Sequence, residues 1–382
     1  MKILQRYFAI EIIRSVFFVL LAFLALFAFF DLMRELESVG RGGYRLQHAF
    51  LYVLMGLPGY TYDLMPIAAL IGTIYALSQF AAQSEFTVMR ISGMSTRLAG
   101  WMLAKIGVVF VIITILFGEL IAPAVSEMAE NLKLQAQGST ISQEFRSGLW
   151  AKDVIKQRGI HGDVIGSRFV NARSVGTDGQ LRDVSLYEFD LDFRLTSLIR
   201  AKSADYRGDF TWYLTAVSET RFTNAASGKM LSSEDIAKAI STQSLASKLW
   251  VSEITPSILS VLFADPDRMS AIELSTYTKH LAENNQTTGR YDIAFWKKII
   301  YPFAVFVMMA LALPFAYLHF RAGGVSLKIF SGIMLGVAFV LSNNLFSHIG
   351  LLNTWPAFAT AVAPSLLFLL VALIALWWVE RH

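Results

Sequence analysis

Long uncharged stretches dominate this sequence. Between Ile329 and Val379 there is no Asp, Glu, Lys or Arg, which leaves room for two membrane-spanning helices of roughly 20 apolar residues each. Ser15 to Phe30 is a further uncharged run, bracketed by Arg14 and Asp31. Of the 382 residues, 55% are hydrophobic and 16% charged, whereas about a quarter of a typical soluble domain is charged. The chain is therefore predicted to lie in a bilayer.

Six spans are predicted, three on each side of a polar middle segment. A signal peptide is the alternative for the first run, but no clear small-x-small cleavage site follows it. The tract from Ala49 to Ser84 is interpreted as an interfacial segment to about Leu57, followed by one proline-kinked span. The predicted spans are Ser15 to Phe30 with flanking residues, Pro58 to Ala82, Gly100 to Ala122, Ile299 to Phe320, and two within Ile329 to Val379 that turn between Asn343 and Pro356.

The distribution of basic residues predicts the orientation, because short cytoplasmic loops carry more Lys and Arg. With the N-terminus inside, the short outer loops hold Arg34, Arg41 and Arg45, and Lys297 and Lys298 fall on the outer edge. The basic residues then placed inside are Lys2, Arg6, Arg14, Arg90, Arg97, Lys105, Arg321, Lys328 and Arg381. Both termini are thus predicted to be cytoplasmic and the middle segment extracytoplasmic.

The middle segment is predicted to be an inserted all-β domain. Short alternating runs and closely spaced turn signals are typical of a β-sandwich or jelly roll. A short helix near Ala271 to Asn284 is predicted from Ile272, Tyr277 and Leu281, which recur at roughly helical spacing. The alternating runs are Val184, Leu186, Phe189 and Trp212, Leu214, Ala216. The predicted division is residues 1–123 for three spans, 124–298 for the β domain with its helical linker, and 299–382 for three spans.

Motifs for the common chemistries are missing from the sequence. There is no G-x-x-x-x-G-K-[ST] loop to hold nucleotide phosphates and no G-x-S-x-G elbow. The six histidines are scattered and there is no cysteine, so a metal site is not predicted. A net charge of +4 is too small to indicate nucleic-acid binding. We therefore expect a chain that is not an enzyme and binds no cofactor of its own.

Ser84 to Gly93 is predicted to form a short cytoplasmic helix between spans two and three. Ser84 can cap its N-terminus, Glu85 favours the helix dipole, and Gly93 can end it. The helix is expected to place Phe86, Met89 and Arg90 on one face, because they lie three or four residues apart. Such a face needs either a protein partner or the surface of the membrane.

Several segments of this sequence resemble a known family. The segment SEFTVMRISGMS resembles the cytoplasmic coupling helix of the LptF/LptG lipopolysaccharide export permeases. Gly148 to Asp153 (GLWAKD) resembles the start of the soluble domain in the LptG branch, and favours that branch over LptF. Two further stretches agree, namely Asp265 to Asp267 with Gly289 to Tyr291, and Tyr301-Pro302 through Ala312 to Phe315. The resemblance covers essentially the whole chain, including the three-plus-three layout.

The resemblance implies a permease subunit of an ABC transporter in the inner membrane of a Gram-negative bacterium. It would pair with an LptF-like permease on a dimer of an LptB-like ATPase, which binds the ATP and magnesium. The pair would extract lipopolysaccharide from the outer leaflet and pass it to LptC-like and LptA-like periplasmic proteins. Glu85 would dock into the ATPase. The coupling residues would be Ser84, Glu85, Phe86, Val88, Met89, Arg90 and Gly93.

Substrate contacts are expected on span one, because spans one and five line the cavity in this family. Candidates for acyl chains are Phe23, Phe27 and Phe30, and candidates for phosphates are Arg34, Arg41 and Arg45. Lipid-facing phenylalanines and a solvated arginine face are the alternative interpretation. Two glycines, Gly332 and Gly336, allow close helix approach, either to the second permease or within this chain. Trp150 is a candidate for lining an apolar groove, with a buried core position as the alternative.

Other classes remain open at this stage. A LolC/LolE or MacB-like ABC permease also partners an ATPase, but has one span before its insert and three after. A membrane-bound enzyme acting on envelope lipids would use intramembrane carboxylates such as Asp63 or Glu119 as acid or base. A purely structural scaffold is the third possibility.

Overall fold

Six membrane-length helices frame a central β domain. The computed structural model describes residues 2–40, 43–137, 148–176, 179–222, 240–261, 266–284, 286–317 and 325–381. Within these residues, three helices long and apolar enough to cross a membrane precede the β domain and three follow it. The predicted fold class is therefore confirmed. The one-plus-three layout of the LolC/LolE or MacB-like alternative is wrong for this chain.

The helices run mostly as long continuous elements. Before the β domain they are α1 (Lys2–Leu36), α2 (Leu46–Ala82), α3 (Glu85–Ile91), α4 (Thr96–Ile115) and α5 (Ala122–Gln137), with a π-helical turn at Leu116–Ile121 between the last two. After it come α6 (Pro256–Val261), α7 (Ala271–Glu283), α8 (Gly289–Ile300), α9 (Ala304–Ala312), α10 (Val325–Leu352) and α11 (Ala357–Arg381).

Helix α2 is a single element of 37 residues, with Pro58 and Pro66 inside it. The predicted separate interfacial segment ending at Leu57 is therefore wrong. A proline is tolerated inside a membrane-spanning helix because neighbouring helices, hydroxyl side chains and local adjustments of the backbone satisfy the groups that it frees. At 1.5 Å per residue the helix is about 55 Å long. It therefore extends well beyond the hydrocarbon layer.

The third span also continues past its predicted end at Ala122, since α5 runs to Gln137. A proline ring clashes with the carbonyl four residues earlier in an α-helix. The π-helical turn precedes Pro123, and there the Ala122 N–H donates to the Phe117 carbonyl, five residues back. This wider turn carries the helix through the proline. The fourth span likewise starts at Gly289 instead of Ile299, so neither predicted domain boundary coincides with a helix end.

Glycines set the closest contacts between the spans. A Cβ on Gly332 would lie 2.7 Å from Ile74 Cδ1, and one on Gly336 would lie 2.9 Å from Ile67 Cγ2. Both glycines therefore face α2 of the same chain, which decides between the two interpretations of this pair in favour of packing within the chain. Gly72 is tighter still, because its Cβ would lie 2.5 Å from the Cα atom of Val16 on α1.

The β domain is one antiparallel sheet whose strands pair in sequence order, β1-β2-β3-β4-β5-β6. Every described strand therefore pairs with its sequence neighbours, as in a meander, and the Greek-key crossovers of a jelly roll are absent among the described residues. The prediction of an inserted all-β domain is confirmed, and its described strands follow one another as a meander. The strands are β1 (Leu149–Arg158), β2 (His161–Val175), β3 (Leu181–Phe189), β4 (Leu195–Gly208), β5 (Thr211–Phe222) and β6 (Ile240–Val251).

One face of the sheet forms the core of the domain. Val184, Leu186, Trp212 and Leu214 are buried in it, as their alternation predicts. The alternation fails at Ala216, which has a positive φ of 54° and is exposed. This irregularity shifts the strand by one residue, so the next side chain along, that of Val217, takes the inner position.

A buried ion network closes the sheet by joining its two edge strands. Arg168 on β2 donates to Asp153 Oδ2 on β1 (3.2 Å), to Glu188 Oε1 on β3 (2.7 Å) and to the Val251 carbonyl at the end of β6 (3.1 Å). Ser252 Oγ donates to the same Asp153 oxygen at 2.6 Å. The sheet must therefore curl until β1 and β6 approach each other.

Replacing Arg168 by methionine is expected to destabilise the β domain by about 3 kcal/mol, because it leaves the buried Asp153 carboxylate and the partly buried Glu188 carboxylate without their cation. Burial already raises the pKa of Asp153, so its protonation is favoured in the folded domain. The loss should therefore shrink as the pH is lowered from neutral. Hydrogen exchange of β1 and β6 peptides in the full-length protein measures it. Arg200→Met, at an exposed position, is the control, and equal protection in both variants would contradict the role of the network.

Candidate functional site

The short helix α3 lies between spans two and three. Its C-terminal end agrees with the sequence prediction, and its N-terminal end does not. Gly93 adopts a positive φ of 95°; its N–H donates to the Arg90 carbonyl, and the Met94 N–H donates to the Met89 carbonyl, each at 3.0 Å. This is the Schellman arrangement that glycine favours. The predicted Ser84 cap is wrong, because Ser84 lies in the left-handed region and its side chain makes no capping hydrogen bond.

The inner face of α3 is fixed to the membrane domain. Phe86 and Met89 are 3% and 4% exposed, and the Phe86 ring meets the edge of Tyr317 at 5.1 Å. The Arg90 guanidinium lies 5.2 Å from the centre of the same tyrosine ring. Phe86 and Met89 therefore belong to the core of this chain. The expectation that these two side chains complete a contact with a partner is corrected on this ground.

The outward face of α3 carries different residues. Val88 is 61% exposed and Ile91 is 83% exposed. Glu85 is partly exposed at the start of the helix, and its Oε2 accepts a hydrogen bond of 3.2 Å from the Tyr7 hydroxyl on α1. Sequence reasoning missed Ile91. Its position three residues after Val88 was a usable signal, because helical residues three apart share a face.

Replacing Phe86 by alanine is expected to loosen α3, since truncating a buried phenylalanine typically costs about 3 kcal/mol or more. Hydrogen exchange in the 84–93 backbone should rise in that variant. Val88→Ala removes an exposed side chain from the same helix and should leave exchange unchanged. Equal exchange in the two variants would show that Phe86 does not anchor the helix.

The aromatic candidates on span one have unequal surroundings. Phe23 is partly buried against the membrane core, whereas Phe30 is exposed near the C-terminal end of α1. Phe27 is exposed on one side and lies 5.2 Å from the ring of Tyr60 on α2. Of the three rings, only those of Phe27 and Phe30 therefore offer an exposed apolar surface.

The cationic candidates near the end of span one also differ. Arg34 is exposed and paired with Asp31, one turn earlier on α1. Arg45 is exposed just before α2. Arg41 lies outside the described residues. Arg34 and Arg45 therefore lie on either side of the loop that joins the first two helices. Both follow Phe30 in the sequence.

A polar cluster that the sequence did not reveal holds this end of α1. The Tyr44 hydroxyl donates to Glu35 Oε1 at 2.9 Å, and Lys133 Nζ on α5 lies 2.9 Å from the same oxygen. Lys133 also lies 4.7 Å from the ring centre of Tyr52 on α2, and Tyr52 donates to Glu130 on α5. Three helices are therefore tied together directly beside Arg34.

The carboxylates considered for acid or base chemistry have structural partners nearby. Glu119 Oε2 accepts a 2.9 Å hydrogen bond from the Ala271 N–H at the start of α7. Asp63 lines a cavity of about 90 Å³ together with Lys298, whose ammonium lies 4.5 Å from the ring centre of Tyr62. Among the described residues, no group of three or more His, Asp or Glu could hold a metal ion.

Trp150 lies on the face of the sheet opposite to the one predicted. Its neighbours Leu149 and Ala151 pack against the buried core, so the period of two in a strand points Trp150 outward. It is 50% exposed and stacks on Tyr187 at 5.7 Å. A cavity of about 130 Å³ lies on the inner face, next to Leu186, Ile199 and Leu214. Trp150 is therefore not a wall of the apolar interior.

Comparison with known proteins agrees with this architecture over nearly the whole chain. Residues 6–378 match the family model described as lipopolysaccharide export system permease LptF/LptG. The chain is 30% identical over 374 residues to the lipopolysaccharide export system permease protein LptG of Escherichia coli (strain K12), covering 97% of each chain. It is 28% identical over 376 residues to the protein of the same name in Haemophilus influenzae, covering 98% of this chain and 97% of that relative. A match that runs through both sets of spans, α3 and the β domain means that the chain belongs to the LptF/LptG family of lipopolysaccharide export permeases.

Proposed function

We propose that this chain is the LptG-like permease subunit of an ABC transporter that extracts lipopolysaccharide from the outer leaflet of the inner membrane. The observation that carries the proposal is the exposed apolar face of α3. Val88 and Ile91 point away from a helix whose other face is buried in the membrane domain. A rigidly held apolar patch on a short cytoplasmic helix is suited to a permanent protein partner, because docking it costs little conformational entropy.

The partner proposed for α3 is an LptB-like ATPase dimer that supplies ATP, magnesium and hydrolysis. Glu85 lies next to the patch, where its charge can select a basic or hydrogen-bonding groove. An LptF-like permease would complete the membrane unit. LptC-like and LptA-like proteins would accept the lipid on the periplasmic side. This assembly requires cytoplasmic termini and a periplasmic β domain, as the basic residues beside the spans predict.

The lipid is proposed to approach the outer half of α1. Phe27 and Phe30 offer exposed rings for acyl chains, and Arg34 and Arg45 offer cations for phosphate groups. Guanidinium groups bind phosphates through paired hydrogen bonds. The Glu35 cluster supports this role indirectly, since it fixes the end of α1 while leaving Arg34 exposed to solvent.

Purification of the tagged full-length protein from native membranes in a mild detergent tests the proposal. Mass spectrometry of the co-purifying proteins and lipids should find an ATPase dimer, a second six-span permease and lipid A. The reconstituted assembly should release lipopolysaccharide when ATP is added. Recovery of the protein alone, with ordinary phospholipid and intact membranes, would contradict the transporter proposal and leave an envelope-lipid enzyme or a scaffold to be tested.

A further inference from the structure

The outer face of the β domain carries a group of exposed cations. Arg173 lies on β2, Arg182 on β3, and Arg200 and Lys202 on β4, and all four side chains are exposed. We call these four residues the cationic face. Among the described residues, none of the four has a carboxylate within 4.0 Å; the ion pairs of the domain involve Lys156, Arg168, Arg194, Arg221 and Lys248.

The strand register crowds these like charges. Ser185 on β3 is directly opposite Arg200 on β4, and Arg182 is directly opposite Ser203, which follows Lys202. Neighbouring strands lie about 4.8 Å apart, so Arg182 and Lys202 are near each other on adjacent strands, although each of Arg182 and Arg200 is directly opposite a serine. Two acids lie in the same region. Asp183 is exposed beside Arg182, and Asp205 accepts a hydrogen bond from Gln180, so the region keeps a net positive charge.

Aromatic rings lie on the same face. The register aligns Trp150, Asn171, Ser185 and Arg200 in one row across four strands. The half-exposed Trp150 ring stacks on Tyr187, which lies two residues after Ser185 on β3. Three strand spacings make the row about 15 Å long. The row therefore presents, in order, an apolar ring, an amide group, a hydroxyl group and a cation.

We propose that the cationic face and the adjoining Trp150 bind a phosphorylated saccharide, namely the carbohydrate part of the glycolipid that the proposed function has this chain transport. The C–H faces of a sugar ring match an aromatic surface, and phosphate groups match guanidinium groups. A bare bilayer surface fits less well, because Trp150 has the polar neighbours Asn171 and Ser185 in its row.

Direct binding to the full-length chain tests this site, which rests on the proposed function. The chain is placed in nanodiscs of phosphatidylcholine and titrated by calorimetry with deacylated, phosphorylated lipopolysaccharide oligosaccharide. Arg200→Gln with Lys202→Gln should weaken binding by about a hundredfold, because each charge-assisted contact is worth about tenfold. Trp150→Ala should weaken it by about fivefold. Binding should also fall with added salt, since the cations are exposed.

Matched controls separate this site from a general charge effect. Arg158→Gln with Lys279→Gln removes two other exposed cations and should leave binding unchanged. The proposal is overturned if the wild-type chain binds no oligosaccharide, if the Arg200 and Lys202 variant binds as tightly as wild type, or if a dephosphorylated oligosaccharide binds equally well. Displacement by phosphatidylglycerol vesicles at equal phosphate would point to a membrane contact and would also overturn it. Failure of the proposed function is seen separately, as the absence of lipid A and ATPase after purification.

Discussion

Gly72→Leu is expected to prevent α1 from packing against α2. The ideal Cβ of residue 72 lies 2.5 Å from the Val16 Cα and 2.6 Å from its backbone nitrogen. Because the clash is with backbone atoms, no side-chain rotamer relieves it and the two helices must separate. Overpacking of a core typically costs about 1–3 kcal/mol when neighbours can shift, and here the neighbour is a helix backbone. We expect the variant to lose its folded population, measured by SDS titration in mixed micelles followed by circular dichroism.

A pair of alanine variants makes this prediction specific. Gly72→Ala adds only the Cβ and should still destabilise the protein by about 3 kcal/mol. Gly100 lies within α4 with nothing within 4 Å of an added Cβ, so Gly100→Ala should leave stability unchanged or raise it by about 0.5–1 kcal/mol. Similar unfolding midpoints for the two alanine variants would show that α1 and α2 do not approach as closely as described.

Glu85→Arg is expected to weaken association with the proposed ATPase partner by at least about a hundredfold, as for a buried interfacial charge that loses its partner. Ile91→Asp should have a comparable effect, because it places a charge in the centre of the exposed α3 patch. Both residues lie at the surface of the isolated chain, so its own stability should change little. The measurement is the amount of ATPase that co-purifies with each variant at equal permease yield.

The hydrogen bond between Tyr7 and Glu85 calls for its own control. Tyr7→Phe removes that bond and keeps the Glu85 charge, so it should retain the ATPase. If Tyr7→Phe loses the partner as fully as Glu85→Arg, then Glu85 acts by holding α3 against α1. If Ile91→Asp keeps the partner, the exposed patch is not the docking surface.

The spans could be predicted from sequence, but their ends could not. Uncharged runs are enough to count membrane helices, because a charged side chain near the centre of the bilayer is costly. Proline commonly marks the end of a helix in soluble proteins. Applied to this chain, that rule gave the wrong start for α2 and the wrong end for the third span. Within the π-helical turn before Pro123, Gly118 packs so closely against the Tyr62 ring of α2 that an added Cβ would lie 2.3 Å from it. That contact joins residues far apart in sequence.

In the candidate sites as well, features set by local sequence signals could be predicted, and features set by distant residues could not. The limits of α3 follow from local signals such as Gly93, but the choice of its buried face depends on Tyr317, more than 220 residues later in the chain. Alternation predicts strands in the β domain and cannot say which edge strands meet when the sheet curls. For the same reason, the sequence around Trp150 could not distinguish the apolar interior from the outer face. Glu35 gave no signal, since its partner Lys133 lies on another helix.

The length of α2 has a mechanical consequence. Its last residue, Ala82, lies directly before α3, while its other end begins just after the Tyr44 that bonds Glu35. A stiff rod of about 55 Å that tilts by about 10° around its midpoint moves each tip by about 5 Å, roughly one helical turn. If α2 moves as one body, small displacements imposed on α3 by the proposed ATPase partner would reach the other end of the helix. Helix α2 would then serve as a lever arm between the two sides of the membrane.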